Sequence, residues 1–242
     1  PGSVLDIGSG FTTMTNAAGG EGITSTLGGT IKGAGAISLC TGGGENYADS
    51  RVDDVNATLA INCRLTGGAG FEYYTGAGVG GTFALNGIND FSGHIMMNAS
   101  GKISASKFGN RGSTTSNLGA GSIIGYNSNV AGGPKFIYTG TGESSDRIFR
   151  FQSHGQIEQA GTGLLNLTAP FLPPTGSGVT ISLLGSTAGT GEIGGAISNG
   201  NGVAIAKWGT GTWTLSGSNT YASATTINQG TLAIAGTNGS IQ

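Results

Sequence analysis

The sequence predicts an all-β chain wound as a parallel β-helix, a β-solenoid of roughly ten rungs. Three observations predict it. Short apolar alternations are separated by glycine, one longer stretch echoes another, and a glycine-led signature recurs at intervals near a common period. Self-similarity of this kind marks a stacked, quasi-one-dimensional architecture. A sandwich or a row of small barrels is the competing architecture, since short strands with frequent turns suit it too.

Composition supports a folded chain. Gly and Pro make up 50 and 5 of 242 residues, just under the level that signals low complexity. The chain is 36% hydrophobic and 9% charged, the reverse of a disordered composition. A net charge of −2 with no run of like charges gives no footprint for nucleic acid or for an anionic membrane surface. No apolar run approaches the length of a membrane-spanning helix. The chain starts and stops inside glycine-rich strand pattern without an initiator Met or leader, which reads as a segment of a longer protein. Residues 1–242 are expected to form one solenoid segment.

Residues 1–56 carry a weak repeat signal and are expected to hold longer loops. Within them Gly33-Ala-Gly-Ala-Ile37-Ser-Leu39 is the first copy of a Gly-x-Gly-x-apolar signature. Further copies begin at Gly119, Gly161, Gly189 and Gly209. The first two spacings are near multiples of about 21 residues, as stacked coils with variable loops would give. Cys40 and Cys63 lie 23 positions apart. Either both are small buried hydrophobes, or, if one coil takes about 22 residues, they stack on neighbouring rungs about 4.8 Å apart and close a disulfide. Such a bond would fit an oxidising, extracellular setting.

The densest polar cluster is Asp49-Ser-Arg51-Val-Asp53-Asp54. It reads as a solvated loop, with a polysaccharide-cleaving carboxylate pair or a calcium site as the alternatives. Adjacent Asp53 and Asp54 would point to opposite faces of a strand, which weakens the catalytic alternative. Gly42-Gly-Gly-Glu45 does not complete the calcium-binding nonapeptide.

Residues 57–103 contain the first long copy, Gly81-Thr-Phe83-Ala-Leu85-Asn-Gly87-Ile-Asn89-Asp-Phe91. Residues 104–118 break the pattern and read as another longer loop. Pro170, Pro173 and Pro174 mark a further interruption, because proline cannot donate to a ladder. The second long copy lies in residues 189–235 and runs Gly211-Thr-Trp213-Thr-Leu215-Ser-Gly217-Ser-Asn219-Thr-Tyr221, then Thr225 to Leu232. In Thr212–Leu215 and Thr231–Ile234 apolar residues alternate with small or polar ones, placing one row inward. The inward rows are expected to include Ile37, Leu39, Leu59, Ile61, Phe83, Leu85, Leu165, Leu167, Ile181, Leu183, Trp213, Leu215, Ile227, Leu232 and Ile234. Glycines between the runs allow the positive φ of tight corners.

Cues for chemistry are sparse. His94 and His154 stand 60 positions apart without acidic or thiol neighbours, short of a zinc ligand set. The Gly76–Gly81 run lacks the ending of a phosphate loop, and no Gly-x-Ser-x-Gly elbow occurs. No catalytic, cofactor or metal site is therefore expected. Tyr73, Tyr74, Phe149, Phe151, Trp208, Trp213 and Tyr221 either stack as core or, in an exposed subset, bind sugar. Arg147 and Arg150 read as an outward pair that keeps the surface soluble.

The C-terminal copy resembles the autotransporter-associated β-strand repeat, also called the passenger-associated transport repeat. Lys207, Gly209, Gly211, Thr212, Trp213, Leu215, Gly217, Asn219, Tyr221, Thr225, Ile227, Gly230, Thr231 and Leu232 fall on its pattern. The copy at 81–93 fits less well, with His94, Met96 and Met97 replacing small residues and threonine. Residues 136–168 are similar to spacer strands of long secreted proteins of this kind. The resemblance implies a right-handed coil in an exported bacterial surface protein. Its expected role is a non-enzymatic rod or fibre component that meets copies of itself or neighbouring segments of the same chain. An adhesin gripping glycan or a host protein through loops near 42–56 and 104–118 is the alternative, and a β-helical polysaccharide-degrading enzyme the third.

Overall fold

A computed structural model describes residues 3–9, 11–16, 23–41, 47–75, 80–128, 130, 132–172, 177–198 and 202–236; at 11–16, 40 and 41 it describes backbone only. Among these residues there is no helix, and every strand-to-strand ladder is parallel. Parallel pairing throughout rules out the sandwich and the barrels, whose neighbouring strands run antiparallel. The molecule is a β-solenoid.

Each coil visits three faces. The first is a continuous ten-stranded sheet of Val4–Asp6, Gly29–Lys32, Thr58–Ile61, Thr82–Leu85, Lys102–Ala105, Lys135–Tyr138, Gly155–Gln159, Val179–Leu184, Val203–Lys207 and Thr225–Ile227. Ten strands at about 4.8 Å make a ladder of about 45 Å. The second face is broken in two. A three-stranded sheet ends at Arg64–Thr66, and a five-stranded sheet begins at Glu143–Ser145. The third face stacks six strands from Thr24–Ser25 to Ile148–Phe151, and parallel bridges at Arg150–Leu172 and Phe171–Ile197 carry it further.

Coil length is not fixed. Thr82 pairs with Lys102, 20 positions on, whereas Lys102 pairs with Lys135, 33 positions on. The expected period near 21 thus holds only for the tightest coils, because corners absorb insertions that the ladder cannot.

Variable coil length also separates the cysteines. Ala36 faces Arg64, 28 positions on, so Cys63 falls beside the residue preceding Ala36. Cys40 stands about five residues further along its strand, on the order of 15 Å away, beyond the reach of a disulfide. Cys63 is buried with a free thiol, whose pKa burial pushes up.

The inward rows are dry. Phe83, Ile103, Phe136, Ile157 and Leu183 follow one another in register down the first face, all buried. Phe108 meets Phe136 and Tyr138 edge-on, with ring centroids 4.8 and 5.1 Å apart, while Tyr126 stacks on Phe151 at 4.4 Å. Both are favoured aromatic geometries. Twelve of the fifteen predicted inward residues are buried, from Ile37 to Leu215. Ile227, Leu232 and Ile234 differ: Ile227 is 54% exposed, Ile234 also lies open, and Leu232 is half-buried. They sit on the last strands of the ten-stranded and five-stranded sheets, where no described coil covers them.

The repeat residues serve corners and core. Trp213 and Leu215 are buried, and the indole Nε1 donates to the Leu184 carbonyl at 2.8 Å. Asn219 is a corner brace: its Oδ1 accepts from the Ile197 amide of the coil below at 2.8 Å, and its Nδ2 donates to Gly217. Asn89 does the same one copy earlier, accepting from Leu65 at 2.7 Å. Tyr221 is buried with its hydroxyl 2.9 Å from Thr225 Oγ1. Gly209 and Gly230 have φ of +72° and +75°, and a Cβ on either would strike a stacked corner carbonyl. Gly211 donates to Gly185 at 2.8 Å, and Gly217 lies against the Gly195 carbonyl. Lys207 ends the apolar column, fully buried, with Nζ donating to Trp208 and Gly209 at 2.7 Å and to Gln229 at 3.3 Å. Burial lowers its pKa.

Gly191 lies in register beneath Trp213, and a Cβ there would overlap the indole ring, far inside van der Waals contact. Gly191→Val should therefore lower stability by roughly 1–3 kcal/mol in urea denaturation. Combining it with Trp213→Leu should recover part of that loss, and strictly additive costs would show that the two positions do not compete for the same space.

Candidate functional site

The solenoid departs most from its own pattern between Lys102–Ala105 on the first face and Ile123–Asn127 on the third. A second-face strand belongs there. Instead residues 106–122 form an excursion that fills the gap between the two second-face sheets. Binding and recognition residues concentrate on such segments, because the scaffold holds them without needing them.

The excursion is pinned from both neighbouring coils. Below, the Asn89 amide donates to Ser116 at 2.8 Å in the one antiparallel bridge among the described residues, and Ala120 donates to Phe91 at 2.8 Å. Asn117 is buried at its neck, accepting through Oδ1 from the amides of Ser106 and Lys107 at 3.1 and 2.7 Å. Above, the Glu143 carboxylate accepts the amides of Phe108 and Gly109 at 2.6 and 2.9 Å. Phe108 and Leu118 turn into the core and close the missing side.

Arg147 is the central anchor. The side chain is 1% exposed, and its guanidinium donates to the carbonyls of Phe108, Gly109, Gly119 and Gly121 and to Ser116 Oγ. Burial pulls its pKa down to about 10, against the raising fields of Asp146 and Glu143, so it stays charged at neutral pH. The expected outward position of Arg147 is thus corrected. Its planar fork reaches acceptors on both limbs of the excursion, near its start at Phe108 and Gly109 and near its end at Ser116, Gly119 and Gly121, which a lysine cannot do. Arg150 keeps a half-buried place on the outer row of the third face. Arg111 pairs with Asp146, through backbone amide at 2.7 Å and Nε at 3.2 Å; burial pushes the Asp146 carboxyl up, but the Arg111 amide and guanidinium together outweigh it and hold the group below its usual range.

Beside the excursion, Ser106, Lys107 and the corner from Tyr138 to Glu143 line an open concavity of about 470 Å³. It holds the hydroxyls of Ser106, Thr139 and Thr141, an amine, a phenol and a carboxylate, and Glu143 is already committed to Phe108 and Gly109. Tyr138 donates no proton readily, since burial raises its pKa, and its hydroxyl accepts the Gly142 amide at 2.9 Å.

Elsewhere the predicted polar residues have local roles. Asp49 and Arg51 lie on the outer row of strand Tyr47–Val52, so the cluster is partly strand and only its end is loop. Arg51 Nε pairs with Asp53 at 3.1 Å, and Asp54 Oδ1 accepts the Asn56 amide at 2.9 Å. Residues 42–46 and Pro173–Pro174 lie outside the described residues, as does most of the Gly76–Gly81 run. Each histidine braces two coils, His94 Nδ1 accepting from Ser122 at 3.3 Å and His154 Nδ1 from Thr180 at 3.1 Å. Of the seven aromatics weighed as sugar contacts, Tyr74 and Trp208 are exposed and the other five are core.

Residues 205–234, the last Asn-braced coil, match the family model described as the passenger-associated-transport-repeat. A 147-residue alignment covering 57% of the chain is 35% identical to the adhesin BmaC autotransporter of Brucella suis biovar 1 (strain 1330). The last described coil is thus similar to a passenger-associated transport repeat, and more than half of the chain is similar to part of an autotransporter adhesin. The alignment spans 4% of that relative's length. No solved structure matches the chain. Lys207, Trp213, Asn219 and Tyr221 all fall inside the matched repeat, which ties the family pattern to the corner brace and core column described above.

The anchors of the excursion and the His94 brace each generate a prediction. Arg147→Ala should lower stability by about 2–4 kcal/mol, because several buried carbonyls lose their donor at about 1–3 kcal/mol each. Hydrogen exchange should rise most in residues 106–122 and least in the ten-stranded sheet. The His94 pKa is held below its ordinary value by burial first and by the field of Arg150 second. The unfolded chain takes up a proton near pH 6.5 that the folded chain resists, so this histidine's contribution is complete above about pH 6.5 and fades as pH falls through the lower folded value. Tm should fall between pH 7.5 and 5, and the fall should shrink in His94→Asn, which keeps an acceptor without a charge.

Proposed function

We propose that this segment is a stiff structural element of a bacterial surface passenger, a spacer that holds adhesive parts of a longer chain away from the cell after export across an outer membrane. One observation carries the reading: the ten-stranded sheet runs unbroken through every change of coil length, including the 33-residue coil that bears the excursion. A scaffold that keeps its ladder while its corners vary transmits position and force along one axis. End-to-end assembly with further copies or neighbouring segments belongs to the same proposal, since an open parallel ladder is a template for the next strand.

A second reading, adhesion through the excursion itself, is favoured by the name of the Brucella relative and by the open concavity beside residues 106–122. In both readings the partner is met outside the cell and no chemical step is performed.

Antibodies against this segment should label intact, unpermeabilised cells of the producing organism, and labelling only after permeabilisation would overturn the surface assignment. In negative-stain microscopy the purified segment should appear as short, uniform rods. Compact round particles would remove the spacer role, whereas long filaments would move function into assembly.

A further inference from the structure

The third face carries a second polar concavity that neither the spacer nor the excursion uses. Tyr73 points inward, and the next residue, Tyr74, is 59% exposed. The Tyr74 amide donates to Ser50 at 3.0 Å, so ladder pairing holds the residue in register. Tyr73 faces Met97, which sets Tyr74 beside Asn98, and Asn98 in turn faces Asn127. An exposed phenol ring and two amides therefore follow one another along the axis at about 4.8 Å per coil. Together with Thr75 and Ser128 they line an open groove of about 250 Å³.

Two atoms among the side chains lining this groove have no hydrogen-bond partner, Thr75 Oγ1 and Asn98 Oδ1. Their side chains belong to residues only 7% and 8% exposed. The Asn98 amide nitrogen donates to the Glu72 carboxylate, which fixes the orphan Oδ1 on the opposite side. An unmet buried polar atom costs about 1–3 kcal/mol, and few are left unmet in folded proteins. Two lining one groove mark a place where a partner is missing. The groove also borders Ala99, the one non-glycine residue with positive φ (+52°) among those described, and strain of that kind gathers at ligand sites.

We infer that this groove binds one ring of a neutral glycan. A pyranose presents an apolar C–H face and a rim of hydroxyls, each both donor and acceptor. Tyr74 offers an open aromatic face, Asn98 Oδ1 an acceptor, Thr75 Oγ1 either role, and Asn127 an exposed amide that can do both. None of the lining residues is charged, so a phosphate, sulfate or uronate finds no counter-ion here. The volume fits a single ring, below the usual range of drug-sized sites. The coil spacing would let neighbouring rings of a chain run along the axis.

The inference deepens the surface reading, yet binding by the purified chain and display on cells are separate readouts, so either can fail alone. The test uses the whole 242-residue chain with maltotriose, cellotriose, chitotriose and lactose as probes, in saturation-transfer NMR and calorimetry. At least one should bind saturably, with transfer strongest to ring C–H protons, and Tyr74→Ala should weaken it tenfold or more with an unchanged circular dichroism spectrum. Thr75→Val should weaken binding while leaving Tm unchanged or raised, because it removes a hydroxyl that has no partner in the free protein. Absence of saturable binding to all four probes, or equal binding by Tyr74→Ala, would overturn the inference. So would a Tm loss of several degrees in Thr75→Val, which would show the hydroxyl to be structurally engaged.

Discussion

In-register parallel pairing between coils governs everything else in this molecule. A residue on one strand stands about 4.8 Å from its counterparts above and below, so each position is a column before it is a residue. Columns of aliphatic and aromatic side chains fill the interior, and corner columns bring backbone carbonyls into contact with whatever follows. That second consequence explains the abundance of glycine better than flexibility does. At Gly87, Gly195 and Gly217 a Cβ would strike the carbonyl of the coil below, whatever the φ angle. The Trp213 column shows the same rule inside: a ring that large fits because Gly191 beneath it has no side chain.

Stacking also decides how this chain buries charge. Among the described residues, opposite charges pair between strands only on the outer row of the ladder, as Lys135 does with Glu158 at 2.8 Å and Lys32 with Asp6 at 3.4 Å, and no such partner stands in the interior. Both fully buried cations, Arg147 and Lys207, are solvated by fans of backbone carbonyls at corners. Desolvation lowers the pKa of each. The return is local order: Lys207 closes the first corner of the matched repeat, and Arg147 fixes an excursion that has no ladder of its own. Each replaces strand pairing where strand pairing ends.

This division explains what could be read from the sequence. Alternation in Thr212–Leu215 and Thr82–Leu85 announces inward Trp213, Leu215, Phe83 and Leu85, because a two-residue period is a local property. Register is not local. Cys40 and Cys63 look stackable at a spacing of 23, yet the coil containing them takes 28 positions, and nothing in the intervening residues states the difference. Arg147 was equally illegible, since its acceptors are main-chain carbonyls from residues 26 to 39 positions earlier, and carbonyls carry no sequence signal. The Tyr74 groove was half legible. The aromatic was visible, but its exposure beside a buried Tyr73, and the orphan atoms of Thr75 and Asn98, exist only once three coils are stacked.

The location of the excursion follows from the same constraint. Inserting 17 residues within a continuous sheet would strip two ladders of their partners and leave buried amides unmet. Between Arg64–Thr66 and Glu143–Ser145 the second face is already divided, so an insertion there has two sheet edges to cover rather than a ladder to break. Its own backbone supplies that cover, through Ser116 and Phe91 below and through Glu143 and Arg147 above. Closing a longer loop adds little entropy cost, which grows only with the logarithm of its length. A solenoid can therefore vary its excursion freely at the seam while the ten-stranded sheet holds its geometry. The excursion's sequence can change without changing the sheet that carries it.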